Sequence, residues 1–383
     1  MKSNVAIVYA ETTKIGEHWS MDHFDSAWEV GKNVLEKSGY HRDGVDSFHF
    51  AGGISEYEKA KLKQMLRVTD KEIRFFEGGR EAGITALEYA VRSIESGNSN
   101  VAFVGSSERS LNTGSNNNQN LLRKGDEFYI EAGKMKMQFM HDLGVSEESF
   151  AGIPVKAHFQ GYFNPKAQYQ MLIKRATVLR SPFVEGAKPL RDFEKSFENS
   201  CGAVGMALCN EEEAKKHSTP VFIEGFGTSH GVDKEHSYIV PSIETTIEKA
   251  CKNVINPKEL SLLQTPDNAT PLEAIALSNF RVSRNEIEEV LKNTFKNADE
   301  PEKQTPSWSY ALDKPLFVNT DGGDKAAGHP GYPTSYLRRV VETFTQLRGE
   351  ANKRQVPNVK HGLVLSIDDY REMSTSAHLL GVR

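Results

Sequence analysis

The chain has 383 residues and a mass of 42.7 kDa, enough for two or three structural units around one or two large cores. It is 38% hydrophobic and 26% charged, with a net charge of -5 and a mean hydropathy of -0.52, which is typical of a polar soluble protein. These values disfavour a basic nucleic-acid binder. The first apolar run is too short for a signal peptide, and no run approaches the roughly 18 apolar residues that span a bilayer. We therefore expect a soluble cytoplasmic protein that binds neither nucleic acid nor membrane.

Short apolar runs alternate with helix-period segments along the first hundred residues, a pattern typical of parallel strands covered by helices. The pattern predicts strands over 5–9, 47–50, 73–76 and 101–104, and helices near 25–37, 56–66 and 83–96. From 110 to 200 a polar run is followed by amphipathic helices without convincing strands, which indicates an insertion.

The alternation of strands and helices returns after this insertion. It predicts strands over 203–209, 221–227, 260–263, 316–318, 362–367 and near 376–382, with helices near 242–254, 270–280 and 334–348. The second half of the chain thus repeats the order of the first. We predict an amino-terminal half formed by residues 1–109 and 201–212, an inserted loop domain over 110–200, and a carboxyl-terminal half over 213–383.

Two glycine-rich turns, at 77–83 and 321–328, follow equivalent strands of the two halves and favour a duplication. The second turn has the spacing of a phosphate-binding loop, but His329 and Pro330 stand where that motif has Lys and Ser or Thr, so nucleotide hydrolysis is rejected. The histidines near 217–236 are loosely spaced without a cysteine pair nearby, and we predict no metal site.

Three parts of the chain, read together, resemble the thiolase superfamily, in particular its sterol-carrier-protein-2 branch. Residues 86–109 resemble the helix and strand behind the thiolase nucleophile, and 319–330 with 346–349 resemble the Gly-His-Pro region. Residues 164–165, 181–182 and 189–190 are similar to the loop domain of that branch. The resemblance implies an α/β fold with a duplicated five-layer α/β/α/β/α core, an inserted helical loop domain and a homodimer.

The resemblance also implies acyl transfer on coenzyme A thioesters, with coenzyme A entering as part of the substrate and no bound cofactor. In the family, a cysteine at the amino end of a buried helix accepts the acyl group, because the helix terminus favours a thiolate. A histidine of the Gly-His-Pro loop activates it, and oxyanion holes hold the developing charge.

This sequence departs from the family at those chemical positions. The nucleophile position falls on Arg80, next to Glu81 and Gly83, and a guanidinium cannot accept an acyl group at neutral pH. The family's His-Asp-x-Phe segment falls on Pro266–Ala269, which keeps Asp267 but lacks the histidine. The second catalytic cysteine falls on the segment that begins at Ser366. The three cysteines of the chain, Cys201, Cys209 and Cys251, lie elsewhere and are expected to be reduced and structural.

The candidate catalytic residues are therefore His329, Tyr332 and Asp267, with Arg80, Glu81 and Gly83 at the old nucleophile position and Gly322, Gly323 and Ser366 as substrate-binding candidates. Several interpretations stay open. His329 either faces a pocket or belongs to a turn in which Thr334 or Ser335 caps the next helix. Tyr332 is an acid or base, or a surface tyrosine. Arg80 either binds an anion or fills the cavity at the family's nucleophile position. Lys134, Lys136, Lys174 and Arg175 either meet coenzyme A phosphates or form solvated helix faces.

Three functions remain in competition. The first is a thiolase-like protein, an acyltransferase by family, that handles acyl-CoA or related acyl groups without covalent cysteine catalysis. The second is a lyase that cleaves a β-hydroxyacyl-CoA by a retro-aldol reaction beside a small OB-fold and zinc-ribbon partner. The third is a catalytically silent subunit that stabilises an active thiolase, synthase or OB-fold partner.

Overall fold

The computed structural model describes residues 3–20, 22–52, 56–68, 71–79, 81–110, 119–197, 199–231, 235–305, 308–369 and 374–383. The strands within these ranges are β1 (Ala6–Thr12), β2 (Ser47–Ala51), β3 (Glu72–Phe76), β4 (Val101–Ser110), β5 (Ser200–Cys209), β6 (Val221–Ser229), β7 (Leu262–Gln264), β8 (Ser309–Tyr310), β9 (Leu316–Val318), β10 (His361–Asp369) and β11 (Ser374–Gly381).

The helices described in the same ranges vary in length from 4 to 25 residues. They are α1 (His23–Lys37), α2 (Glu56–Leu66), α3 (Ala82–Glu95), α4 (Gln119–Leu143), α5 (Glu147–Tyr162), α6 (Arg175–Arg180), α7 (Glu211–Ala214), α8 (Pro241–Cys251), α9 (Thr270–Ser278), α10 (Ile287–Thr294), α11 (Gly323–Ala326) and α12 (Tyr332–Leu347). The strands and helices predicted from periodicity therefore occur where they were expected, with ends that differ by a few residues.

The strands form one mixed sheet in the order β3-β2-β4-β5-β1-β6-β11-β10-β7-β9-β8. Strands β1 and β6 pair antiparallel at its middle. Outward from β1, the order is β5, β4, β2 and β3; outward from β6, it is β11, β10, β7 and β9. On both sides, the first two strand contacts are antiparallel and the next two are parallel. The predicted duplication is therefore confirmed, and β8 is an addition at the outer edge of the second half.

Helices divide the two halves of the sheet into layers. Helix α3 packs on β2 and β4, α12 packs on β10, β5 and β1, and the two helices contact each other between the sheet halves. Helices α1 and α2 cover the outer face of the first half, while α8 and α9 share the outer core of the second half. Three separate apolar clusters fill these spaces, so the predicted five-layer order is confirmed.

Helices α4, α5 and α6 lie between β4 and β5 in the chain, and α4 and α5 bury charged side chains. Lys136 is 1% exposed and lies 2.7 Å from Glu194 Oε2, while Lys156 is fully buried 2.7 Å from Glu273 Oε1. The expectation that Lys136 lies on a solvated face or meets coenzyme A phosphates is therefore wrong. The boundaries of the loop domain stay a prediction.

In the described part of the chain, no helix combines the length and apolar character needed to cross a membrane.

Candidate active site

The amino ends of α3 and α12 meet in the central layer. Gly83, in the first turn of α3, packs against the backbone of Pro333, in the first turn of α12, so closely that a Cβ at Gly83 would lie 2.7 Å from the Pro333 oxygen. Both helix ends carry partial positive charge, which favours an anionic group between them. Glu81 precedes α3 and is exposed to solvent. The neighbouring candidate Arg80 lies outside the described residues.

Replacing Gly83 with alanine should force these two helix ends apart. Because the contact is made by backbone atoms that cannot rotate away, we expect a loss of about 1–3 kcal/mol in the free energy of unfolding. The matched control is Gly79→Ala, since a Cβ at Gly79 would have no neighbouring atom within 4 Å and should change stability by less than about 0.5 kcal/mol. Urea denaturation measures both changes, and equal stability of the two variants would contradict the close helix contact.

His329 is held by contacts from three directions. Its Nδ1 lies 2.9 Å from Ser335 Oγ and 3.6 Å from Asp324 Oδ1, and its backbone N–H donates to Ser200 Oγ over 3.2 Å. The ring is 14% exposed. Because these contacts engage Nδ1, the ring keeps one orientation, with Nε2 on its other side.

Tyr332 lies directly against His329. The two rings meet edge to face with centroids 4.9 Å apart. Tyr332 also lines a narrow cleft together with Asn268, Asp324, Arg339 and Ser366, among other residues. The cleft volume is about 10 Å³, enough for one water molecule or one oxygen atom of a ligand. The structure therefore brings Tyr332 and Ser366 together, with His329 beside them.

Asp324 connects His329 to two buried arginines. Its Oδ1 accepts from Arg338 Nη2 at 2.9 Å, and its Oδ2 accepts from Arg339 Nη2. Burial by itself would raise the pKa of Asp324, but the charges of Arg339 and His329 outweigh burial and hold the pKa of this carboxyl well below its usual range. Asp324 is therefore a fixed anion behind the imidazole.

Asp267 is fully buried and supports the same turn. Its Oδ1 accepts from the backbone N–H of Asp324 at 2.7 Å, and Lys325 Nζ lies 3.4 Å from its Oδ2. Burial raises the pKa of Asp267, and Lys325 acts in the opposite direction. Gly323, with φ +62°, packs against this carboxylate, where a side chain would collide with Asp267. Gly322 packs closely on α5, where a Cβ would lie 2.8 Å from Gly161 Cα.

These contacts separate the predicted residues into two groups. Tyr332 and Ser366 line the cleft with His329 beside them, whereas Asp267, Gly322 and Gly323 shape the turn that carries Asp324. We infer that Asp267, Gly322 and Gly323 act indirectly, by positioning Asp324.

Glu108, at the end of β4, is a site residue that sequence reasoning did not select. Its Oε2 accepts from the backbone N–H of Thr334 at 3.0 Å, and Gly331 leaves room for the carboxylate. The helix end is therefore capped by Glu108, whereas Ser335 contacts His329 and the Thr334 hydroxyl lies 2.8 Å from Ser106. Burial raises the pKa of Glu108, whereas the hydrogen bonds from Thr334 act to lower it.

All three cysteines are buried. Cys201 and Cys209 belong to β5, and Cys251 is the last residue of α8. Cys201 Sγ lies 4.0 Å from Ser26 Oγ of α1, on the outer face of the sheet. Burial raises the pKa of all three thiols, to about 11 for Cys209 and about 12 for Cys251. Thiolate formation is therefore disfavoured at each of them. No group of three or more possible metal ligands occurs among the residues that the structure describes.

Sequence comparisons find relatives of this chain. Residues 294–380 match the family described as Thiolase C-terminal domain-like. The acetyl-CoA acetyltransferase of Methanothermobacter thermautotrophicus is 25% identical to this chain, over 95% of this chain and 96% of its own length. Sterol carrier protein 2 of Rattus norvegicus is 22% identical, over 94% of this chain and 68% of its own length. These similarities support a relationship between this chain and the thiolase superfamily.

Solved structures with the same fold cover the whole chain. The Ltp2-ChsH2(DUF35) aldolase is similar with a TM-score of 0.77 and 18% identity, over 99% of this chain and 98% of that one. Human mitochondrial 3-ketoacyl-CoA thiolase in complex with CoA is similar with a TM-score of 0.69 and 14% identity, over 100% of this chain and 98% of that one. The thiolase-type fold predicted from the sequence is therefore confirmed.

Proposed function

We propose that this protein binds acyl-CoA thioesters and cleaves a β-hydroxyacyl-CoA by a retro-aldol reaction, without an acyl-cysteine intermediate. The observation that carries the proposal is the contact between His329 and Tyr332 beside the cleft, with ring centroids 4.9 Å apart. An imidazole and a phenol so close together can accept one proton and deliver another to the same substrate.

The proposed reaction uses both groups once. His329 removes the proton of the β-hydroxyl, whose oxygen forms a carbonyl as the Cα–Cβ bond breaks. The electron pair of that bond moves to Cα and is delocalised into the thioester as an enolate. The Tyr332 phenol protonates Cα, which releases a shortened acyl-CoA together with an aldehyde or ketone. The imidazolium of His329 then returns its proton to the tyrosinate, and both groups are restored.

The surroundings of His329 support its role as the base. The Asp324 carboxylate faces the imidazole, with its Oδ1 3.6 Å from Nδ1. Ser335 fixes the ring plane through its contact with Nδ1. This arrangement resembles the oriented histidine of other acid–base sites, in which a third group holds the imidazole in place.

The cysteine positions argue against covalent catalysis. The resemblance places Arg80 at the nucleophile position, and burial raises the pKa of Cys201, Cys209 and Cys251. A thiol with a raised pKa has a smaller thiolate fraction at neutral pH. The retro-aldol reaction needs no thiolate, which is why it fits this chain better than thiolysis or Claisen condensation.

The proposal also covers the substrate carrier, the protein partners and the location of the chain. Coenzyme A enters as part of the substrate, as the similarity to acetyl-CoA acetyltransferases and to a thiolase solved with CoA supports. A second copy of the chain is proposed to pair along β3, an edge strand of the sheet. The name of the aldolase with the same fold pairs Ltp2 with ChsH2(DUF35), which supports a further partner, here proposed as an OB-fold and zinc-ribbon protein. A cytoplasmic location belongs to the same proposal.

The experiment that tests the proposal incubates the protein with β-hydroxyacyl-CoA thioesters of short to long chain and identifies the products by mass spectrometry. We expect a shortened acyl-CoA and an aldehyde or ketone in equal amounts. A variant with Cys201, Cys209 and Cys251 all replaced by alanine should keep this activity, whereas Tyr332→Phe should lower it about 10²–10⁴-fold. No cleavage of any of these thioesters would overturn the proposal in favour of a silent subunit, and full activity of Tyr332→Phe would remove the phenol from the reaction.

A further inference from the structure

Three side chains form a path that leads away from the cleft. Tyr336, one turn after Tyr332 on α12, is 1% exposed and lines the cleft. Its Oη lies 2.5 Å from Nδ1 of His378, a residue of β11 that is also 1% exposed. On the other side of the imidazole, Nε2 lies 3.5 Å from Oε1 of Glu88 on α3. The path therefore runs from Tyr336 through His378 to Glu88 as a continuous series of contacts.

The outer end of the path reaches the protein surface. The Glu88 side chain is 14% exposed, and its Oε2 accepts from Nη2 of Arg92 at 3.1 Å. The Arg92 side chain is 71% exposed, so the carboxylate lies where it can exchange a proton with bulk water. The middle of the path is shielded, because the Phe226 ring packs against His378 with ring centroids 5.0 Å apart. Protons that follow this path therefore pass through the side chains themselves.

Each of the three groups can accept one proton and release another. A phenol oxygen does both, an imidazole accepts at one ring nitrogen and releases from the other, and a carboxylate exchanges protons with water. In the outward direction, a proton from the cleft binds the Tyr336 oxygen while the phenol's own proton moves to His378 Nδ1. The Nε2 proton of His378 moves to Glu88 and from there to water. The inward direction reverses these steps and restores the first imidazole tautomer, so only bonds to hydrogen form and break.

We propose that Tyr336, His378 and Glu88 form a proton relay that exchanges protons between the cleft and bulk water. The inference rests on the proposed function, since the group that the relay serves is the Tyr332 phenol that protonates Cα. The cleft that both tyrosines line has room for one water molecule, and a water at that place connects the two phenols. Cleavage itself passes one proton between His329 and Tyr332, whereas the relay replaces that proton with one from solvent.

The test measures the exchange of the Cα protons of acetyl-CoA with solvent deuterium. The protein is incubated with acetyl-CoA in heavy water, and deuterium in the acetyl group is measured by mass spectrometry. Enolate formation moves a Cα proton to the Tyr332 oxygen, from which the same proton returns unless it is replaced. We expect the wild-type protein to incorporate deuterium, because the relay replaces that proton before it returns.

Tyr336→Phe and His378→Gln each interrupt the relay with little change in side-chain size. We expect both to lower deuterium incorporation by about 10²-fold, the low end of the contribution of a positioned proton-transfer group. They should lower kcat for β-hydroxyacyl-CoA cleavage much less, because cleavage needs no proton from solvent. A merely structural role would lower the two rates together.

The matched control is Tyr40→Phe, which removes a hydroxyl from a second tyrosine–histidine pair. Tyr40 Oη lies 3.1 Å from His217 Nε2, in a different part of the fold, since Tyr40 follows α1 and His217 follows α7. We expect this variant to keep the wild-type rates of exchange and cleavage. Thermal unfolding of each variant checks that the fold is intact.

The outcomes separate the relay from the proposed function. Wild-type exchange in both Tyr336→Phe and His378→Gln overturns the relay and leaves retro-aldol cleavage in place, as do equal losses of exchange and cleavage. Cleavage by the wild-type protein without exchange into acetyl-CoA overturns the relay as well. Exchange that depends on Tyr336 and His378, without cleavage of any β-hydroxyacyl-CoA, overturns the retro-aldol reaction and retains the relay. The absence of both exchange and cleavage overturns both.

Discussion

Replacing His329 with alanine is expected to lower kcat for β-hydroxyacyl-CoA cleavage by about 10²–10⁴-fold, the usual contribution of a positioned general base. The imidazole contacts Ser335 Oγ at 2.9 Å and lies edge to face with Tyr332, so a neighbouring group would have to move to take its place as base. Steady-state kinetics with the thioester that the wild-type protein cleaves best measure the change. The effect should fall on kcat more than on KM, because the proton is transferred only in the reaction step.

The matched control is His41→Ala, since His41 is an exposed histidine at a turn far along the chain from the site. It should leave both kcat and KM unchanged. Ser335→Ala should give an intermediate loss, because Ser335 positions the imidazole and does not touch the substrate in the proposal. If His329→Ala kept the wild-type kcat while Tyr332→Phe lost it, the base would have to be another group.

Asp324→Asn is expected to destabilise the protein by about 3–5 kcal/mol at neutral pH, the usual cost of breaking a buried ion pair from one side. The substitution keeps the shape of the side chain but leaves Arg338 and Arg339, which are 2% and 4% exposed, without their shared anion. Because folding lowers the pKa of Asp324, its contribution is complete above the pKa of the unfolded chain and is lost as the pH falls toward the lowered value.

Urea denaturation at neutral pH and under acidic conditions measures this effect. Asp43→Asn is the control, because Asp43 is 79% exposed and lies 3.5 Å from Arg42, a surface pair that contributes about 0–1 kcal/mol. The difference in stability between wild type and Asp324→Asn should shrink as the pH is lowered. Equal effects of the two substitutions at neutral pH would contradict the buried role of Asp324.

Periodicity was enough to predict most of the architecture. The helix predicted over 56–66 matches α2, because its apolar spacing depends only on local sequence. The strand at 101–104 was recognised by its apolar core, but β4 continues to Ser110, since its polar end still pairs with β5. The duplication followed from the repeated order of strands and helices, and the sheet order confirms it.

The site was predicted less completely, because its contacts join residues that are distant in sequence. Glu108 caps α12 from a strand 226 residues earlier, and no local pattern around Thr334 indicates this partner. Likewise, Lys136 was expected to meet solvent or phosphate, but folding places it beside Glu194, 58 residues away. His378 has an ordinary sequence context, and its position between α12 and α3 exists only in the folded sheet.

The most direct test of acid–base chemistry without an acyl-cysteine is the intact mass of the protein during turnover. The reaction with a β-hydroxyacyl-CoA or with acetyl-CoA is quenched in acid, and the protein is weighed by mass spectrometry. We predict the unmodified mass while the shortened acyl-CoA accumulates. An added acyl group that maps to Cys201, Cys209 or Cys251 would contradict the account.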